Sequence, residues 1–310
     1  MSPRELFVLI AMCTVWGFHF VVIKVTVETV PPMFYASMRM ALVALLLSPW
    51  LRWRPGKMKT VLLAGVCYGA LNYSLMFTGL RLAPASVAAI IGQLYVPFAT
   101  ILSVVFLSET VRWRRILGIS LAFAGVAVIA LSKGSIGAAD ERLGVGAGLL
   151  AAAALVEATG STLVKSSKGF KPYELLAWFA VIGTISLTPA TWLLEKGQME
   201  ALAASNKLML GGAIVYSAVL ASIFGHTAYY WLLQRLPVSL VAPSSLLIPV
   251  FAVTFSVLFL GEALSVRFFI GGALAMTGVA IVLLRTTKGR IVEPGAPEAV
   301  VVAPPQEEKQ

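Results

Sequence analysis

Charge is scarce in this chain. Only 12% of its 310 residues are Asp, Glu, Lys or Arg, against 59% hydrophobic, and the mean hydropathy is +0.89. A soluble domain cannot hide that much apolar surface, and runs of eighteen or more apolar residues read as membrane spans. Cysteine is almost missing too. Cys13 and Cys67 both lie inside apolar runs, where a thiol behaves as a small hydrophobe, and no CxxC pair exists to suggest a disulfide framework. Histidine is limited to His19 and His226, in separate spans without a matched acidic set, so no metal and no cofactor is expected. The chain has no GxxxxGK[ST] phosphate loop, no HExxH, no GxSxG and no paired membrane aspartates, Asp140 being a loop residue. An ATP-driven pump and the intramembrane hydrolases are thereby disfavoured, and no enzyme activity is expected. Acidic residues are outnumbered, 14 against 24 Lys and Arg. The excess bases sit in short loops between spans, which makes them topology signals and argues against a nucleic-acid partner.

What the chain does have is apolar runs, and ten spans can be drawn: 6–26, 32–51, 60–80, 84–107, 114–132, 144–165, 174–194, 208–232, 237–260 and 267–285. The expected fold is an all-α polytopic membrane protein. The first run follows Arg4 as a signal peptide would, but it is long, lacks a small-x-small cleavage site and precedes many more spans, so a retained helix is expected. Pro31-Pro32, Arg52 to Lys59, Arg112 to Arg115 and Lys165 to Pro172 mark connections. The Pro-, Glu- and Ala-rich stretch 286–310 reads as a disordered tail.

Residues 84–131 recur at 237–284 with a shift of 153 and no gaps. Pro84 falls on Pro237, Ser86 on Ser239, Phe98 on Phe251, Glu109 on Glu262, Arg114 on Arg267, Gly118 on Gly271 and Gly125 on Gly278. Each copy is a hairpin of two apolar runs. The repeat is five spans long, so the expected organisation is a first repeat over 1–135 and a second, inverted, over 136–285. Inverted repeats of this kind are typical of secondary transporters, with a site near the midplane where the halves meet. With the N-terminus inside, inner loops and tails hold sixteen Lys and Arg and outer loops six. Both termini are therefore expected on the cytoplasmic side of the inner (plasma) membrane.

The run Trp16-Gly17-Phe18-His19-Phe20-Val21-Val22-Ile23-Lys24, followed by Pro31-Pro32 and Arg39, resembles the opening of the EamA family in the drug/metabolite transporter superfamily. Its pattern there is WG-x-NF-x-x-x-K, then a PP pair and an Arg in the second span. The hairpins ending in Ser108-Glu109 and Gly261-Glu262 resemble that family's two repeats, and the likeness spans residues 5–285. Within the family, Val241 to Val250 is most similar to the O-acetylserine/cysteine exporter group. The chain departs from the pattern with His19 in place of Asn, and with Glu157 where the second half often carries an aromatic residue.

Candidate site residues follow from polar groups at mid-span. Glu157 is the one carboxylate away from loops, helix ends and tail; burying it costs about 2.5–3.5 kcal/mol on insertion scales, so it must face a cavity or a partner. Ser161 and Lys165 follow on the same helix face. A protonatable Glu157 coupling proton entry to solute exit and a passively hydrogen-bonded one are both open. His19 neighbours Trp16 and Phe20 by helical spacing, and His226 either lines the cavity or bridges helices. Lys24, with Glu28 at i+4, and Arg39 read as snorkelling side chains near the outer ends of their spans. Gln93, Tyr95 and Pro97 stand opposite Ser244, Ser245 and Pro249 in the two halves; matched interruptions of this kind point to a binding site. Asn72 and Tyr73 correspond to Gly225 and His226, with Tyr229 and Tyr230 following. Gly118, Gly125, Gly271, Gly272 and Gly278 read as helix packing, and Glu109 and Glu262 as corners capping the helix that follows each. The expected partners are a small-molecule substrate and membrane lipid, with proton coupling or facilitated diffusion as the energy source. The resulting expectation is an exporter of amino acids or their derivatives that works by alternating access, the alternative being a broad drug or cation exporter.

Overall fold

The computed structural model describes residues 1–107, 113–131, 140–166, 169–233, 235–236, 241 and 244–286. Every regular element among them is a helix. Nine are long and apolar enough to cross a membrane, and Leu247–Leu260 is a shorter apolar helix. The spans are α1 (Pro3–Thr29), α2 (Pro32–Leu47), α3 (Met58–Leu82), α4 (Ala85–Phe106), α5 (Trp113–Ala130), α6 (Asp140–Ser166), α7 (Pro172–Leu194), α8 (Lys207–Leu233), α9 (Leu247–Leu260) and α10 (Val266–Thr286). Hydrocarbon offers no partner for a free amide or carbonyl, so a chain this apolar pairs its backbone within helices. The expected tail beyond 286, the corner at Glu109 and the first residues of the expected ninth span (237–240 and 242–243) lie outside the described residues. The connection after α7 runs from Glu195 to Asn206. It holds a further short helix, Gln198–Ala204, tied back by Gln198 Nε2 donating to the Thr191 carbonyl at 2.7 Å.

Local chemistry sets the ends and the breaks. Ser2 Oγ accepts from the Glu5 amide while Glu5 Oε2 accepts from the Ser2 amide, a capping box that starts α1. Pro32 begins α2, where its missing N–H leaves no donor unpaired. In α4 the regular ladder stops between Gly92 and Tyr95, bridged by tight i→i−3 bonds from Gln93 to Ile90 and from Leu94 to Ile91. Pro97 is the cause: its ring clashes with the carbonyl four residues back and it has no amide to pair there. Pro249 has the same effect above Ser245, and α9 opens with a tight bond from Ile248 to Ser245.

Two spans carry wider turns that the sequence did not announce. Val66–Asn72 in α3 and Tyr216–Phe224 in α8 wind as π-helix. Adding 153 to the first range gives 219–225, so the widened turns overlap at corresponding places in the two halves. A π turn adds a residue per turn and redirects side chains and carbonyls, which is why such turns gather at functional sites.

The packing of α1–α5 on α6–α10 maps onto itself when the two sets are exchanged. Contact between α1 and α9 becomes contact between α6 and α4, α3 on α6 becomes α8 on α1, and α3 on α7 becomes α8 on α2, while α2–α7 and α5–α10 map to themselves. Along α5–α10 a Cβ on Gly118 would lie 2.8 Å from the Gly278 carbonyl oxygen, and one on Gly271 2.7 Å from that of Gly125. Glycine is what lets these backbones touch. Gly272 has no part in this seam, since a Cβ there would meet only Ile90 Cδ1, at 3.9 Å.

Three glutamates of the second half grip the first. Glu195 accepts from the Met33 and Phe34 amides at 3.0 and 3.1 Å, capping α2. Glu262 accepts from the Ala85 and Ser86 amides and from the Ser86 hydroxyl, capping α4. It was expected to cap the helix following it; a carboxylate finds the positive end of a helix wherever the fold brings one within reach. At the other end of the bundle the buried Glu174 holds Arg54 at 3.0 Å and Arg52 at 3.8 Å.

Candidate functional site

The polar side chains of the inner turns fall into two clusters, one built on each widened turn. The first lies between α3 and α6. Asn72, buried at the end of the π segment, donates from Nδ2 to the Ala153 carbonyl at 3.0 Å and reaches Glu157 Oε2 at 3.5 Å. That second distance is long for a hydrogen bond. Glu157, half-buried, has no cation within 4.0 Å among the described residues. The sequence brought Asn72 and Glu157 into one list, and the structure brings them together. Ser161, one turn on, donates to the Ala158 carbonyl of its own helix. The side chains of Lys165 and Tyr230 lie outside the described residues.

The second cluster joins α1, α2, α3 and α8. Ser217, fully buried, bonds His19 Nε2 at 3.0 Å and the hydroxyl of Tyr35, which in turn donates to the Ala213 carbonyl at 3.1 Å. Ser222, five residues on, donates to the Ser217 carbonyl at 2.8 Å, the i−5 spacing of the π turn. Arg39 completes the cluster. Its Nε and Nη2 donate to Ser222 Oγ at 3.2 and 2.8 Å, and Nη2 also donates to Tyr73 Oη at 3.2 Å. The guanidinium lies 4.4 Å from the centre of the Tyr73 ring and 5.8 Å from that of Phe77.

Arg39 corrects the snorkelling expectation. It begins the third turn of α2, about 10 Å along the helix, and is 3% exposed, so its charge stays inside the bundle. Lys24 does keep an end position, 3.6 Å from Glu28, and donates to the Leu80 and Arg81 carbonyls at the C-terminus of α3.

The remaining expected residues are placed as follows. Trp16 donates from Nε1 to the Ala221 carbonyl at 2.9 Å, within the π turn, and packs edge-on to His226 at 5.6 Å and beside Tyr229 at 6.1 Å. His226 Nδ1 bonds the Ser222 carbonyl at 2.8 Å, so it bridges turns of its own helix while facing Trp16. Phe20 packs on the main apolar core. Gln93 and Ser245 sit in the two helix breaks, and Ser244 donates to the Val241 carbonyl at 2.6 Å. Sequence reasoning missed Ser217 and Ser222, because small hydroxyls in a span look like packing residues until a turn aims them inward, and Tyr35, because an aromatic near a span end reads as an interfacial residue. It misplaced Arg39, whose signals were an arginine away from any loop and its place in the family pattern after Pro31-Pro32.

A pocket of about 240 Å³ opens where α1 ends, lined by Thr26, Thr29, Val30, Ser205, Asn206 and Leu210 among others. Thr26 and Leu210 each stand seven residues, two helical turns, from His19 and Ser217. The Tyr35 hydroxyl is held between Ala213 and Ser217.

With this geometry in view, the comparisons with known proteins are direct. The model of the EamA-like transporter family matches residues 3–131 and again 144–284. The chain belongs to the EamA-like transporter family. A "probable amino-acid metabolite efflux pump" of Salmonella typhimurium is 29% identical over 91% of this chain and 95% of its own. A "probable terminal-alkyne amino-acid exporter" of Streptantibioticus cattleyicolor is 28% identical over 69% of each chain. An "S-adenosylmethionine/S-adenosylhomocysteine transporter" of Chlamydia trachomatis is 27% identical over 83% of this chain and 82% of its own. A crystal structure aligns at a TM-score of 0.61, covering 92% of this chain and 99% of that one, at 17% identity, which speaks to the fold alone. This EamA-like protein is accordingly a multi-pass membrane transporter of small molecules, and no enzyme.

Proposed function

We propose that this EamA-like transporter exports amino acids or close derivatives from the cytoplasm, by alternating access between two inverted halves, 1–135 and 136–285. The observation that carries the reading is the pair of polar clusters at the junction of the halves, each built on a widened turn at a corresponding place. Buried hydroxyl, amide, imidazole and guanidinium groups suit a small zwitterion, while Trp16 and Phe20 supply apolar surface for its side chain. The names of two relatives, an amino-acid metabolite efflux pump and an amino-acid exporter, point the same way. Rocking of the halves about the α5–α10 glycine seam would open the clusters to either side, with both termini cytoplasmic in the inner membrane. Glu157 is the group suited to carry a proton.

The test is efflux from proteoliposomes holding the full-length protein, with labelled amino acids screened with and without a pH gradient. Faster loss than from protein-free liposomes supports the reading; equal loss for every amino acid sinks it. A cation exporter is the second reading, favoured by one observation: Glu157 faces a neutral amide and, among the described residues, no cation. Quaternary amines competing with amino-acid efflux would bring it forward.

A further inference from the structure

We propose that Arg39 is the anchor for the carboxylate of the transported solute, a more specific claim that rests on the exporter reading. The buried guanidinium is incomplete. Nε and Nη2 are used by Ser222 and Tyr73, but Nη1 is buried with no hydrogen-bond partner, and no carboxylate lies within 4.0 Å of Arg39 among the described residues. An arginine in a span is costly and is ordinarily paired or turned to a cavity that serves a solute. The same chain shows what a finished structural arginine looks like: Arg54 has Glu174 at 3.0 Å. Arg39 has been given fixed orientation without neutralisation. Two contacts to Ser222 and the face of Tyr73 lock the plane, and one edge of the fork is left open.

The vacant edge has a second donor beside it. Tyr73 Oη accepts from Nη2, so its own O–H proton is free to donate onward. Nη1–H and Tyr73 O–H together offer two hydrogen bonds to the two oxygens of one carboxylate, charge-assisted on the arginine side. A bound carboxylate would neutralise a buried charge that the described residues leave unpaired, so solute entry and charge compensation become the same event. A neutral amide in the same place would satisfy the hydrogen bonds without the charge.

The test compares solutes that differ only in the carboxylate. Counterflow into proteoliposomes of the full-length protein is measured for O-acetyl-L-serine, L-cysteine, L-leucine and L-phenylalanine, each against its carboxamide. Isovalerate serves as a carboxylate without an ammonium group and tetraethylammonium as a cation without a carboxylate. The expected result is at least one amino acid moved, with KM for its carboxamide about 10- to 100-fold higher, the range for losing a charged hydrogen bond. In Arg39→Gln the amino acid's KM rises by the same factor and the carboxamide's by less, so the gap between the two closes, and Arg39→Lys recovers part of the loss. Equal KM for amino acid and carboxamide in the wild type overturns the assignment, and this comparison needs no variant to fold. Transport of isovalerate without any amino acid keeps Arg39 as a carboxylate anchor and removes the amino-acid reading. Transport of tetraethylammonium alone, unchanged in Arg39→Gln, removes both, as does movement of no solute at all.

Discussion

Glu157 and Arg39 are two charges that this bundle holds without an opposite charge among the described residues, and the fold treats them differently. Glu157 is half-buried, near one amide donor at 3.5 Å, on a regular stretch of α6. Arg39 is almost wholly enclosed, clamped by a serine and a tyrosine, and short of one partner. A loosely held carboxylate can gain and lose a proton and rearrange; a guanidinium keeps its charge and, held flat, is suited to recognition. On the proposed function the contrast divides the labour: α6 would carry the group that changes state, and α2 the one that only binds.

That division can be broken by experiment. Arg39→Ala should lower kcat/KM for amino-acid efflux by about 100-fold, as loss of a charged hydrogen-bonding partner requires; near-normal counterflow in proteoliposomes would return Arg39 to a purely structural part. Glu157→Gln should cost about 10-fold in efflux driven by a pH gradient, in the range of a lost proton-transfer group, while leaving counterflow without a gradient close to wild type. Full-rate proton-driven efflux by this variant would end the coupling idea. Asn72→Ala should lower stability by about 1 kcal/mol, since the Ala153 carbonyl loses its side-chain donor; an unaltered melting curve of the detergent-solubilised protein would show that water replaces the amide. Trp16→Phe removes the bond to the Ala221 carbonyl yet keeps the ring packing, so an effect of about 0.5–1 kcal/mol is expected in the same melting assay, smaller than that of either charge.

The architecture was open to reading from the sequence, and the site only in part. Span length, the 153-residue echo and the proline breaks are written in residue types with strong local consequences: the breaks beneath Pro97 and Pro249 fall where expected, although Pro189 is carried inside a continuous α7. Glu157 stood out because acidic residues are scarce in spans, and Asn72 was chosen with it. Arg39 did not stand out as a site residue, because a long basic side chain near a span end has an ordinary explanation. Its true place depends on Ser222 and Tyr73, which come from two other helices. The widened turns of α3 and α8 were invisible for another reason. One extra residue in a turn is decided by tertiary packing, such as the Trp16 indole reaching the Ala221 carbonyl, and leaves no mark on hydrophobic periodicity.

The glutamate grips bear on how this protein is made. The first turns of α2 and α4 expose amides whose partners, Glu195 and Glu262, lie 161 or more residues downstream. During synthesis those helices enter the membrane long before their caps exist, and for that interval only water or lipid headgroups can serve them. Glu262 precedes the last span, so the cap on α4 arrives with the final hairpin. Assembly is therefore completed from the C-terminal end, and a chain truncated after α8 would keep one of its two borrowed caps and lack the other.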